Sequence, residues 1–122
     1  VVPAHNEADV IADTIASLRR QTSPPDLTIV VPNNCTDETA AAAARAGACV
    51  LPYPGHNPDR KAGAVNYALE QLADQLRPRD AVLVMDADTT LLPDFIAVGR
   101  RNLAGRVGGR PGRRVRRHLR RP

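Results

Sequence analysis

The 122-residue sequence predicts an α/β domain built on a mostly parallel sheet with flanking helices. Two observations predict it. Short β-rich runs, Leu27-Thr28-Ile29-Val30-Val31, Cys49-Val50-Leu51 and Ala81-Val82-Leu83-Val84-Met85, alternate with longer stretches of helical spacing. Clusters of Pro, Gly, Asn and Asp separate them. Strand–helix alternation of this kind implies βαβ units, and ligands of such sheets bind beyond the carboxyl ends of the strands.

Val1-Val2-Pro3 reads as the stub of a first strand, as if the chain began in mid-element. A helix is expected from Glu7 to about Arg20, with Val10, Ile11, Ile15 and Leu18 on one face. Asn6 would cap it, and Glu7 and Asp9 would sit in its first turn, where the helix dipole favours acids. Ser23-Pro24-Pro25 stops that helix, and Leu27 to Val31 is a continuous β-rich run ending at Pro32, as a strand buried on both faces should look. Asp37 to Ala46 is Ala-rich and helical by propensity, with Gly47 placed to end it. After Cys49-Val50-Leu51, residues 53–60 form a loop. Lys61 to about Leu76 follows as a third helix, with Val65, Leu69, Leu72 and Leu76 as its apolar face. Ala81 to Met85 is a fourth strand, and Pro93 opens a last helix carrying Phe95, Ile96 and Leu103.

Charge divides the chain into two parts. Residues 105–122 hold eight Arg and no acid, which leaves nine basic against thirteen acidic residues in 1–104, a net charge of −4. Nucleic-acid binding would rest on the tail alone, and with one Phe, two Tyr and no Trp there is almost no platform for stacking bases, so none is expected. The expected division is therefore a domain at 1–104 and a basic Arg/Gly-rich tail at 105–122. The tail reads either as a disordered segment or as an out-of-frame read of a GC-rich region. Cys35 and Cys49 follow no metal or redox spacing, and no apolar run approaches the roughly 20 residues of a membrane span.

Three polar clusters fall at the ends of strands or in adjoining loops. In Asp86-Ala87-Asp88 the two carboxylates are an i, i+2 pair, which an extended chain turns to one side. Side by side they resist joint ionisation unless a cation is near, and Mg²⁺ or Mn²⁺ shared with a diphosphate suits them. Pro3-Ala4-His5-Asn6-Glu7 offers a flat ring and a carboxylate for a base and a ribose. Lys61-Ala62-Gly63-Ala64-Val65-Asn66 opens a helix, where an ammonium and free N–H groups favour phosphate. Taken singly, the Asp pair is as well explained by a solvated polar turn, although the apolar strand before it favours a ligand site. His5 and Glu7 are more often a loop residue and a first-turn acid, and Lys61 a solvated charge beside a packing face.

Taken together, and with Val30-Val31-Pro32-Asn33-Asn34-Cys35-Thr36-Asp37 between them, the clusters resemble the inverting family 2 glycosyltransferases of GT-A fold, over residues 1 to about 104. The resemblance implies an incomplete GT-A nucleotide-sugar-binding domain. Ala4, His5 and Glu7 would contact the nucleoside, and Asn33 would stand where the family has an Asp that binds uracil. Lys61 would lie near the nucleotide, and Asp86 with Asp88 would bind the Mg²⁺ or Mn²⁺ of the diphosphate. Asn66 would support helix packing. The donor would be a nucleoside-diphosphate sugar, a UDP-sugar foremost, and the acceptor a sugar, polysaccharide or lipid-linked hydroxyl. The parent protein would work at the cytoplasmic face, with membrane helices beyond this segment.

Two departures accompany the resemblance. Asn33 is neutral where the family has a charge, and no carboxylate follows Asp94, so no catalytic base can be named although inverting transfer needs one. Two rivals stand beside it. Val82 to Leu91 also resembles the first motif of haloacid-dehalogenase-type phosphohydrolases, with Asp86 as nucleophile, although the 34 residues after Asp88 contain no Lys. The other is a catalytically inert gene fragment with residual nucleotide binding.

Overall fold

The computed structural model describes residues 1–107. Three parallel strands, β1 (Val2–Ala4), β2 (Ile29–Pro32) and β3 (Cys49–Val50), lie side by side in sequence order. Val2 pairs with Val30 and Ala4 with Pro32, while Ile29 pairs with Cys49. The helices are α1 (Ile11–Arg19), α2 (Thr39–Arg45), α3 (Arg60–Leu72) and α4 (Phe95–Val107). The predicted α/β class and parallel pairing are therefore present.

Alternation along β2 sorts the core into two layers. Val30, with Val2 and Ala4, packs with Ile11, Ile15 and Leu18 of α1 and Ala43 of α2. Ile29 and Val31 point the other way, onto Ala64 and Ala68 of α3. Every residue of β2 is buried, as its unbroken apolar run requires.

The structure corrects several sequence expectations. α1 starts at Ile11 rather than Glu7; residues 8–10 form a turn, in which Glu7 C=O accepts from both Val10 N (3.1 Å) and Ile11 N (2.9 Å). Asn6 is no cap. It has φ +51°, and its side chain accepts a hydrogen bond from Thr36 N instead. On α3 the innermost residues are Ala64 and Ala68, whereas Val65, Leu69 and Leu72 are half-buried and Leu76 is exposed beyond the helix. Small residues let that helix lie close to the sheet, with the larger ones flanking it. Asn66 is exposed, so it does not support packing.

The fourth strand is the largest departure. Residues 81–85 run beside β1 but join it only at Val1, whose N donates to Leu83 O (2.8 Å) and whose O accepts from Met85 N (3.2 Å). Met85 is buried, while Val82 and Val84 are 39% and 44% exposed. A single pair of bonds holds the segment alongside the sheet without making it a ladder strand. Gly47, at φ +94°, ends α2 as expected, and the Arg19 guanidinium covers it so closely that a Cβ there would lie 1.7 Å from Nη2. α4 runs from Phe95 to Val107, and the rest of the basic tail lies outside the described residues.

Candidate functional site

An open cleft of about 810 Å³ lies at the carboxyl ends of β1, β2 and the 81–85 segment. It falls within the ordinary size range of ligand pockets. Its lining includes Ala4, His5, Glu7, Asn33, Lys61, Asp86 and Asp88, the full set of residues singled out from the sequence. Up to 84 positions apart in the chain, they are brought together because each follows a strand end or opens a helix.

The loop after β1 is laced to the loop after β2. Asn6 Oδ1 accepts from Thr36 N (2.8 Å), Thr39 Oγ1 accepts from Glu7 N (2.9 Å), and Asp37 Oδ2 accepts from Ala8 N (3.2 Å). His5 Nδ1 lies 3.1 Å from Asn33 O, so its Nδ1–H donates there and Nε2 is left for a ligand. Asp37 also accepts from Thr39, whose hydroxyl is the main reason its carboxyl sits below the usual range; desolvation opposes it, and the Ala8 and Thr39 N–H groups add to the lowering. A depressed folded pKa gives stability that is present above the unfolded value of about 3.9 and lost as pH falls through the folded value. Asp37→Asn is therefore expected to flatten the acid limb of a melting-temperature profile below about pH 4. Wild type and variant melting in parallel there would remove Asp37 from this role.

Asn33 is 5% exposed and its amide is engaged. Nδ2 donates to Ala4 O (3.1 Å) and Val31 O (3.4 Å), and Oδ1 accepts from Asn57 Nδ2 (3.2 Å). Two carbonyls around Nδ2 fix the orientation of the amide. Asn33 lines the cleft as expected, but as part of its frame.

The sequence reading missed Asn34, His56, Asn57 and Arg60, which also line the cleft. Asn57 is 1% exposed and joins the end of β2 to the start of α3. Its backbone N and O pair with the Asn34 side chain at 2.8 Å each, its Nδ2 donates to Arg60 O (2.5 Å), and its Oδ1 accepts from Asp59 N (3.1 Å). Asn6, Asn34 and Arg60 all have φ +51°. Left-handed non-glycine residues are strained and gather at binding sites. A His-Asn-Pro-Asp turn just before Lys61 was the available signal.

A polar stripe on α1 was missed as well. Thr14 Oγ1 donates to Ala87 O (2.5 Å), Leu91 N donates to Ser17 Oγ (3.4 Å), and Gln21 donates to Leu92 O (2.7 Å) while accepting from Ile96 N (3.1 Å). Thr14 and Ser17 on α1 and Gln21 just beyond its end are all buried, and they meet the chain from Ala87 to Ile96 at the start of α4. Thr14 holds the Asp86–Asp88 triplet at Ala87, and Ser17 and Gln21 fasten the chain that follows it. Ala87 is buried in the core, whereas Asp86 and Asp88 are exposed in the cleft.

Lys61 Nζ donates to Asp86 Oδ1, and both side chains are largely exposed. The ammonium is held above the usual lysine range, first by that hydrogen bond, then by the charge of Asp86 and, more weakly, of Asp88.

Over residues 1–103 the sequence matches the pattern of glycosyl transferase family 2. This chain belongs to that family. Solved structures agree on its GT-A fold. Staphylococcus aureus TarS matches with a TM-score of 0.70 at 20% identity, over 95% of this chain and 22% of that one. A mannosyl-3-phosphoglycerate synthase from Rubrobacter xylanophilus matches at 0.59 and 27% identity, over 80% and 33% of the two chains. A mycobacterial protein matches at 0.58 and 26%, over 85% and 36%. This family 2 chain thus spans between about a fifth and about a third of the solved chains it matches. Comparison with curated proteins gives no match. Membership in the glycosyl transferase family sets aside the phosphohydrolase reading of Asp86-Ala87-Asp88.

Proposed function

We propose that the cleft binds a nucleoside-diphosphate sugar, a UDP-sugar foremost, and that the family 2 parent protein transfers the sugar to an acceptor hydroxyl with inversion. The observation that carries this is convergence: four separate segments meet in one cleft and supply a flat ring, acceptors, cations and a carboxylate pair. His5 and Glu7, beside Ala4, face the nucleoside, with His5 Nε2 free to accept. Asn33 positions that wall through its carbonyl bond to His5 and needs no contact of its own with the base. Lys61 and Arg60 supply positive charge for the diphosphate.

Asp86 and Asp88 would hold Mg²⁺ or Mn²⁺. Among the described residues no group of three or more His, Cys, Asp or Glu comes together. A two-carboxylate donor set fits a hard dication that keeps waters and shares substrate oxygens. The ion pair of Asp86 with the Lys61 ammonium supports this reading. When bound, the ion supplies electrostatic stabilisation of the departing diphosphate. The acceptor on this reading is a sugar, polysaccharide or lipid-linked hydroxyl, and the cleft works on the cytoplasmic side. Among the described residues no helix is long and apolar enough to cross a membrane.

Calorimetry with UDP and with GDP, each with and without Mn²⁺, tests the reading. UDP is expected to bind in Mn²⁺ and to weaken by at least about tenfold in its absence, about 1.4 kcal/mol. Tighter binding of GDP would reassign the base, and no binding of either would favour the inert-fragment reading.

A further inference from the structure

Lys61 is the only lysine in the chain, and the other sixteen cationic side chains are Arg. That one lysine stands on the first turn of α3 with its ammonium on Asp86, one of the two carboxylates of the cleft. Among the described residues, Asp88 makes no side-chain hydrogen bond or ion pair. An ammonium is a compact point charge on a flexible stem, whereas a guanidinium grips a carboxylate through a planar fork. Both partners are more than half exposed, and such pairs are weak and readily exchanged.

We propose that Lys61 is an exchangeable internal cation of the metal site: in the free cleft it occupies Asp86 in place of the dication, and an arriving diphosphate draws it away. The inference rests on the metal reading above and adds a coupling to it. Diphosphate offers Lys61 oxygens of higher charge than one carboxylate, and its departure leaves both Asp86 and Asp88 open to the metal. By linkage the metal frees Lys61 for the phosphates to the same degree. Nucleotide and metal each load better in the presence of the other, beyond what their direct contact supplies.

The full chain carries its own probe. Labelling with ¹³C-lysine gives the signals of a single side chain, so Mg²⁺ alone should move the Lys61 Cε resonance toward its position in Asp86→Asn. Mn²⁺ affinity without nucleotide, measured by calorimetry, should rise about two- to fivefold in Lys61→Met. Arg60→Met, which removes a charge from the same cleft without touching Asp86, should change it less. UDP should tighten Mn²⁺ binding more in wild type than in Lys61→Met. Equal Mn²⁺ affinity in wild type and Lys61→Met, or equal gains in the two Met variants, would overturn the exchange while leaving the metal site standing. Mn²⁺ binding that Asp86→Asn does not weaken would overturn both.

Discussion

Replacing Asn57 with alanine is expected to lower the unfolding free energy by about 3 kcal/mol, near the upper end for loss of one buried polar side chain. The side chain is almost wholly enclosed, and its three bonds tie Asn33, Arg60 and Asp59 together. Truncation leaves Asn33 Oδ1 without its partner in a position that is 5% exposed. It also removes the bond that holds Arg60 in its left-handed conformation. The entry to α3, and with it Lys61, would loosen together.

The same contact makes Gly63 a sensitive position. A Cβ built on Gly63 would lie 2.2 Å from Asn57 Oδ1. Gly63→Ala in the wild-type chain is therefore expected to destabilise, although alanine is the better helix former by about 0.5–1 kcal/mol. In the Asn57→Ala background the obstructing atom is gone, and the same substitution should become neutral or stabilising. Urea denaturation of the two single variants and the double variant measures this coupling directly. Additive effects would mean that Gly63 and Asn57 do not compete for one space.

How much of this was legible in sequence depended on whether the signal was local. β2 was readable because a five-residue β-rich run ending in Ile29-Val30-Val31 has few other uses, and the convergence of Ala4, His5, Glu7, Asn33, Lys61, Asp86 and Asp88 followed from knowing where such strands end. The start of α1 was misread because Asn6 is a good cap by type, yet its side chain is engaged by Thr36, thirty residues away. Asn57 carried no periodicity and its partners are spread over two loops, so only the folded chain reveals it. Thr14, Ser17 and Gln21 did have helical spacing, but a polar stripe reads as a solvated face until a loop is seen to cover it. The run at Ala81–Met85 has the composition of a strand but forms none. Ladder pairing depends on the neighbouring chain, and here only Val1 meets it.

The second large effect is expected at Asp88. Asp86 has Lys61 for a partner, whereas Asp88 is the carboxylate left to a metal, so its loss should fall on metal-dependent binding and leave the fold intact. Asp88→Ala is exposed in the cleft and removes no hydrogen bond from the core, so its melting temperature should stay close to that of wild type. The most direct measurement is a calorimetric titration of UDP at saturating Mn²⁺ into wild type and Asp88→Ala. Roughly a 100-fold loss of affinity, about 2.7 kcal/mol, is expected in the variant, with the weak metal-free binding unchanged. Wild-type affinity for UDP in Asp88→Ala would contradict the assignment of this cleft as a metal-assisted nucleotide-sugar site.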